Sequence, residues 1–316
     1  MEIIISHRSA FLYWRTFRKQ ATGLKRVHHR VVPGAALTED VRGQLQRLGI
    51  PEPEQAPLDL LFLSSEKRWR PRGVTAHVTE RELPRGSFVQ VAENVLVVAP
   101  ELCFVQLADG YSTEKLALAG CELCGTYAQE GPERTLHHRV PLTSAAALRE
   151  YVSALGLGPA SRPYQASRLV LDGAASPMEA KVSLLLSLSN TRGGYSLPAP
   201  VLNAPFHLSA EAHCIYPHSP CRLDLYWEEA AFALEYDGLE AHSGELHAKG
   251  VARAAALRID GVDALSVSYA QVVDPDNFDR LAALVAKQLG IWLRVQQQPE
   301  RFRARRASLR RELELG

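Results

Sequence analysis

Long apolar segments are absent from the sequence. No stretch of the 316 residues approaches the ~18 consecutive apolar residues that a membrane-spanning helix requires. The opening stretch MEIIISHRSAFLYWR also lacks the basic region and long apolar region of a secretory signal peptide. These absences predict a cytoplasmic protein.

Excess charge and paired cysteines are lacking as well. The formal net charge of +1 argues against a protein coated in positive charge, although a local patch is enough to bind nucleic acid. Five cysteines, an odd number, fit free thiols in a reducing compartment better than a disulfide framework. The 46% hydrophobic and 22% charged residues are typical of a globular protein, and the length suits about two domains.

Two stretches rich in proline, glycine and serine divide the chain. IPEPEQAP, at 50–57, predicts a connector, and GLGPASRPYQASR, at 156–168, predicts the linker to a second domain. We therefore predict a smaller α+β domain over residues 1–165 and a second domain over residues 166–316.

The first domain has a mixed pattern. Helices are predicted at about 7–20 and 38–48, and another near 144–155. Between them, SFVQVAENVLVVAP reads as two strands with a turn at Glu93-Asn94, followed by the helical stretches ELCFVQLADG and STEKLALAGCELCG.

The second domain begins with a clear helix start. Ser176 is a typical N-cap, Pro177 suits the first helical position, and Glu179 suits the third. RLDLYW and FALEYDG then read as two strands of a hairpin joined by residues 228–231. Three further elements are predicted: a helix at about 245–259, a strand in DALSVSYAQV, and a long helix from about 277.

Two acidic residues alternate with the apolar residues of this hairpin. If the chain turns between Glu229 and Ala230, Asp224 lies opposite Glu235, with Cβ atoms roughly 4.5 to 5.5 Å apart. Two carboxylates this close repel unless a cation lies between them, and hard ions such as Mg²⁺ bind to one or two carboxylates. The pair therefore predicts a metal site; the alternative is two exposed hairpin acids. Glu179 either completes the site or only closes a capping box with Ser176.

The complete pattern resembles the PD-(D/E)XK nuclease superfamily, and within it the branch around very-short-patch repair endonucleases. The resemblance covers about residues 175–290 and rests on these residues: Glu179, Asp224, the run Glu235-Tyr236-Asp237-Gly238, His242, Arg253, Leu257 and Gly261. It implies a restriction-endonuclease-like α/β fold, in which helices flank a mixed sheet, and cleavage of DNA with Mg²⁺ or Mn²⁺.

The resemblance also implies roles for individual residues. Asp224 and Glu235 would be metal ligands, and Glu179 would complete the metal site from its helix. His242 would transfer a proton or contact phosphate, although a histidine in a polar loop is also a common exposed residue. Asp237 belongs to the same candidate catalytic group, although with Gly238 it also suits a simple turn.

The sequence departs from the superfamily at two positions. The usual lysine, two residues after the second acid, is replaced by Asp237, and relatives carry an aspartate where this chain has Gly250. Lys249 or Lys181 is a candidate source of the missing positive charge. Without that lysine, an alternative function is a catalytically degraded nuclease fold that acts as a DNA-binding regulator or an antitoxin-like protein.

Basic residues elsewhere are candidate contacts for DNA. KRWRPRG surrounds an aromatic residue with cations that could follow a phosphate backbone. The candidate contacts to nucleic acid are Lys67, Arg68, Arg70, Arg72, Lys249 and Arg253. The arginines of RFRARRASLRR, at 301–311, are interpreted as a solvated helix end.

The first domain carries a fainter resemblance. ELPRGSFVQVAENVLVVAPELCFVQLA and LALAGCELCGTYA are similar to the central region of proteins linked to abortive-infection antitoxins of toxin–antitoxin systems. This resemblance implies that the first domain binds nucleic acid or a partner. Together, the predicted metal site and the resemblance to the nuclease superfamily imply a metal-dependent DNA endonuclease.

Overall fold

The structure of the protein is a computed structural model. It describes residues 3–17, 24–27, 38–50, 57–65, 72–130, 135–237, 244–293 and 299–315. Two compact units are present: unit 1, Met1–Val170, and unit 2, Leu171–Gly316. Most of IPEPEQAP, together with Lys67, Arg68, Arg70 and His242, lies outside the described residues. Within the described ranges, no helix has the length and apolarity needed to cross a membrane.

Unit 1 contains strands and helices in a mixed order. Its strands are β1 (Ile3–Ile5), β2 (Arg26–Val27), β3 (Leu58–Phe62), β4 (Val74–Val78), β5 (Phe88–Ala92), β6 (Val95–Val98), β7 (Tyr127–Glu130) and β8 (Thr135–His138). Its helices are α1 (His7–Thr16), α2 (Glu39–Arg47), α3 (Pro100–Leu107), α4 (Thr113–Leu123), α5 (Ala145–Ala154) and α6 (Arg162–Ser167).

The main sheet of unit 1 has the strand order β2-β5-β6-β1-β3-β4, and β7 and β8 form a separate hairpin. β1 is parallel to β6 and antiparallel to β3. Both central strands, β1 and β6, are buried along their whole length, as expected for strands whose two faces are both covered. Trp14 of α1 is fully buried, and its indole N–H donates to the Val98 carbonyl at 2.9 Å.

Several predictions for unit 1 are confirmed, and one is wrong. α2, α3, α4 and α5 lie where the sequence predicts them, and Glu93-Asn94 forms the turn between β5 and β6. α1 begins as predicted but ends at Thr16 instead of about residue 20, because the backbone of Phe17 is extended. The stretch at 156–168 contains α6 and is therefore not simply a linker. Ser161 caps this helix, and Pro163 and Ala166 are buried. This proline, which was predicted to belong to a linker, lies in the first turn of the helix, where proline is tolerated.

Unit 2 has four strands: β9 (Val201–Phe206), β10 (Cys221–Trp227), β11 (Phe232–Asp237) and β12 (Asp263–Ser268). Its helices are α7 (Pro177–Ser187), α8 (Ala210–Ile215), α9 (Gly244–Ile259), α10 (Tyr269–Val273), α11 (Pro275–Gln288) and α12 (Pro299–Glu312). The predicted helix, hairpin, helix, strand and helix occur in the predicted order, but β9 and α8 precede the hairpin and α10 precedes the long helix.

The sheet of unit 2 has the order β12-β11-β10-β9. β10 runs antiparallel to β9 and β11, while β12 runs parallel to β11 after the α9 crossover. The sheet is therefore mixed and accompanied by helices, and the α/β class predicted from the sequence is confirmed. Leu223, Ala233 and Leu257 pack together in its core with Cys221 and Val262.

One prediction for unit 2 is wrong, a second is wrong in part, and one strand was missed. YAQV belongs to α10 instead of continuing β12, because the Ser268 side chain and Gln271 form a capping box that starts a helix. The arginines of α12 agree with the solvated helix end only in part: Arg306 and Arg310 are buried, whereas Arg301, Arg303, Arg305 and Arg311 are exposed. Arg310 donates to the Val272 and Val273 carbonyls at 2.7 and 2.6 Å, so it holds α10.

The missed strand is β9, whose VLNAPF contains two residues that are unusual in strands. Asn203 has a left-handed backbone with φ 48°, and Pro205 has no backbone N–H to donate. β9 is an edge strand, which is where a sheet tolerates such residues.

Candidate active site

The two predicted acids face each other across the hairpin of β10 and β11. Leu225 pairs with Leu234 and Tyr226 with Ala233, and the same register continued by one residue places Asp224 opposite Glu235. The Asp224 carboxylate accepts a hydrogen bond from the Tyr236 backbone N–H at 2.8 Å. The turn between the strands has the length that the sequence predicts.

Glu235 is a buried carboxyl group, with 8% of its surface exposed. Burial, which penalises the charged form, raises its pKa from 4.5 to about 8, and the nearby charge of Asp224 acts in the same direction. Arg253 opposes this shift without cancelling it. Both carboxylate oxygens of Glu235 are inaccessible to solvent and accept no aligned hydrogen bond.

Arg253 is the cation next to these acids. Its Nη2 atom lies 2.7 Å from Oε2 of Glu235. Because that oxygen nevertheless accepts no aligned hydrogen bond, the contact is a charge interaction with poor hydrogen-bond geometry. The same Nη2 atom donates to the Arg222 carbonyl. The sequence indicated Arg253 as a DNA contact and did not indicate this pairing.

Asp224 is also poorly solvated. Burial raises its pKa, and the charge of Asp237 adds to the shift, whereas the Tyr236 N–H and Arg253 lower it. Asp237 itself is exposed at the end of β11. Two neighbouring acids with raised pKa values, one buried and one half-buried, form the electrostatic pattern that a bound cation relieves.

Glu179 lies in the first turn of α7. Ser176 caps this helix by accepting from the Glu179 N–H at 3.2 Å, as predicted. The Glu179 carboxylate accepts from the Ala175 N–H at 2.8 Å and from the Asn203 amide, so it serves a structural role as well. Burial raises its pKa, and the charge of Asp224 contributes, which places the two acids in electrostatic contact.

Asn203 is a residue of this region that the sequence patterns did not identify as a candidate. Its side-chain amide also donates to the Gly173 carbonyl at 3.0 Å, and thus links β9 to the segment before α7. A signal was present in the sequence: Asn203 is the one polar residue within the apolar stretch VLNAPF. It lies on the strand next to Asp224, between Leu202 and Ala204, which pair with Leu225 and Leu223.

The three acids differ in how well they fit a divalent ion. Among the described residues, His7, His77 and Asp109 are the group whose ligand atoms all lie within 4.8 Å of one another, and Glu179, Asp224 and Glu235 are not. Asp224 and Glu235 still suit Mg²⁺, which binds one or two carboxylates and keeps several waters. Oε2 of Glu235 contacts Arg253, so a bound ion would share this carboxylate with the guanidinium.

The other candidate residues lie in several places. Lys181 is buried and donates from Nζ to the Glu314 carbonyl at 3.2 Å, whereas Lys249 is exposed on α9. Arg72 is exposed. The sequence suggested the two lysines as replacements for the missing one, and the structure instead pairs Arg253 with Glu235.

Comparisons with protein-family models, with curated proteins and with solved structures find no match to this chain. The chemistry of the site is therefore inferred from its geometry alone.

Proposed function

We propose that this protein is a metal-dependent endonuclease that hydrolyses DNA phosphodiester bonds at Asp224 and Glu235. The observation that carries the proposal is the pair of acids on adjacent strands, Asp224 and Glu235, of which Glu235 is buried beside Arg253. Although Arg253 contacts Glu235 and the Tyr236 N–H donates to Asp224, the pKa values of both acids are raised, mainly by burial. A divalent cation bound by both carboxylates would compensate their remaining negative charge.

The residues around the pair have distinct roles in this proposal. Asp224 and Glu235 would hold Mg²⁺ or Mn²⁺, which when bound polarises a phosphate oxygen and lowers the pKa of a bound water. Glu179 fixes the start of α7 beside Asp224 and adds negative charge there. Arg253 balances the charge of Glu235 and provides the cation that the superfamily takes from its lysine.

A second candidate function is supported by the same arginine. Since the guanidinium of Arg253 already contacts Glu235, the acids can be balanced partly without a metal. Asp237 at the position of the usual lysine adds negative charge where catalysis would use a positive one. These two observations favour a nuclease-like fold that binds DNA without cleaving it, as a regulator or an antitoxin-like protein.

The test is cleavage of supercoiled plasmid and of mismatched duplex DNA with Mg²⁺ or Mn²⁺, with chelator as the blank. We expect Asp224→Asn to lower the rate by more than about 100-fold, because even changes around a metal ligand lower affinity or activity 10- to 100-fold. Asp263→Asn is the matched control, since it removes the same charge from an exposed position on β12.

Cleavage by Asp224→Asn at the wild-type rate would overturn the catalytic assignment. If the wild-type protein cleaves none of these substrates but retards them in gel-shift assays, the second candidate function replaces the first. Circular dichroism of each variant separates a loss of activity from a loss of folding.

A further inference from the structure

A second cluster of metal-ligating side chains lies in unit 1, far along the sequence from the acids of the hairpin. His7 begins α1, His77 lies on β4, and Asp109 follows α3. Their ligand atoms all lie within 4.8 Å of one another. His7 Nε2 is 3.4 Å from the Asp109 carboxylate, and the two imidazole rings are stacked with centroids 3.4 Å apart.

Each histidine has one ring nitrogen engaged by a neighbouring side chain. His77 Nε2 is 2.8 Å from Oδ1 of Asp59, and His7 Nδ1 is 2.9 Å from the Ser6 hydroxyl. Asp59 is itself held, because its other oxygen accepts from the N–H and hydroxyl of Ser9, both at 3.2 Å. A histidine whose second nitrogen meets a carboxylate or hydroxyl is the usual arrangement at metal sites, since this contact fixes the tautomer and the ring.

The backbone at His7 is unusual and firmly held. Its φ of 47° lies in the left-handed region, which a residue other than glycine adopts at an energetic cost. The His7 N–H donates to Gln106 Oε1 at 3.1 Å, and the Cys103 thiol lies 3.6 Å from the His7 carbonyl. Strain that surrounding contacts maintain is concentrated at binding and catalytic sites.

The surroundings of His7 disfavour the charged form of its imidazole. Burial lowers its pKa to about 4, and His77 contributes to the shift, whereas the acids Asp109 and Asp59 oppose it.

A cavity of about 250 Å³ adjoins the cluster. His7, His77 and Asp109 line it together with Gln106 and Arg81, and the remaining lining residues are mostly apolar. A cavity of this size accommodates water or a small ligand next to a bound ion. Asp109 is 77% exposed at its side chain, so it is free to adjust toward an ion.

We propose that His7, His77 and Asp109 form a zinc-type divalent metal site whose open coordination position faces this cavity. Two imidazoles and one carboxylate, completed by water, are the ligand set of catalytic zinc sites such as those with two histidines and a glutamate. The two ring planes are 16° apart, so one ion held by both imidazoles requires His7 to rotate out of the stack while Asp59 keeps the His77 ring in place.

Isothermal titration of the full chain with Zn²⁺ tests this site, in excess Mg²⁺ to saturate the acids of unit 2. The background is Cys214→Ser, because Cys214 is the exposed cysteine. We expect one Zn²⁺ per chain, and ¹H–¹⁵N NMR of the imidazoles should show both His7 and His77 shifting on binding.

Asp109→Ala should weaken Zn²⁺ binding more than 100-fold, and Asp59→Asn, which alters the partner of His77, about 10- to 100-fold. The matched control is His138→Ala, which removes an exposed histidine of β8 and should leave affinity unchanged. Asp224→Asn should also leave the Zn²⁺ affinity unchanged. This result would show that the Zn²⁺ site of unit 1 is distinct from the site in unit 2 proposed for DNA cleavage.

The proposal is overturned if the wild-type chain takes up no Zn²⁺, or if Asp109→Ala binds it as tightly as wild type. Titration with Co²⁺ gives an independent check, because thiolate and imidazole ligands give different absorption bands. A thiolate band would assign the metal to cysteines and would also overturn the proposal.

Discussion

Replacement of Glu235 by glutamine should make unit 2 more stable at alkaline pH. The folded protein holds the pKa of Glu235 at about 8, against 4.5 for an ordinary glutamate. When folding raises the pKa of an acid, the acid contributes its full stabilisation of the folded state at pH values below its pKa in the unfolded chain. For Glu235, this stabilisation is lost as the pH rises from 4.5 through 8.

The size of the effect follows from the same two values. Each pKa unit corresponds to about 1.4 kcal/mol of free energy. The rise in the pKa of Glu235 from 4.5 to about 8 therefore corresponds to about 5 kcal/mol. The free energy of unfolding of the wild-type protein should therefore fall by up to about 5 kcal/mol between about pH 4.5 and pH 8.5. Glu235→Gln keeps the shape of the protonated acid and should lose most of this pH dependence.

Urea unfolding of both proteins at several pH values, followed by circular dichroism and tryptophan fluorescence, measures the difference. Near pH 4.5 the two should be about equally stable, and near pH 8.5 the variant should be the more stable. Asp263→Asn, an exposed acid on β12, is the control and should follow the wild-type curve. If the curves of wild type and Glu235→Gln run parallel, the burial argument is refuted. At high pH, added Mg²⁺ should raise the stability of the wild-type protein but not that of Glu235→Gln.

Three further substitutions in unit 2 have defined outcomes. Arg253→Ala should lower the free energy of unfolding by at most about 3 kcal/mol above pH 8, because it removes the partly exposed partner of Glu235, and by less at low pH. Gly193→Ala should cost at least about 2 kcal/mol, since φ is 92° and a Cβ atom would lie 2.4 Å from the Arg305 carbonyl oxygen; a wild-type midpoint in thermal melting would contradict this. Gly250→Ala, in the middle of α9 with open space around it, should instead raise stability by about 0.5 to 1 kcal/mol, and a lower melting midpoint would disprove this.

The hairpin and its register could be predicted because they depend on local patterns. Alternation of apolar and acidic residues identifies the strand faces, and the turn length fixes which residues face each other. The sequence alone therefore predicts that Asp224 lies opposite Glu235. The N-cap at Ser176 was predictable for the same reason, since capping depends on residues within one turn.

Contacts between residues distant in sequence were not predictable in this way. The pairing of Arg253 with Glu235 depends on how α9 packs after its crossover, and no local pattern reports that geometry. The cluster of His7, His77 and Asp109 joins three elements separated by 70 and 32 residues along the sequence. Burial of Arg306 was missed because a run of arginines is usually solvated, whereas here Asp279 and the Pro275 carbonyl bind it.

The unusual residues of β9 have a consequence for the behaviour of the protein at high concentration. An edge strand presents unpaired backbone groups that another chain can extend, which is a route to aggregation. The left-handed backbone of Asn203 interrupts the regular pleat of that strand, and Pro205 has no backbone N–H to donate. The residues that made this strand hard to recognise in the sequence thus also protect it from intermolecular sheet formation.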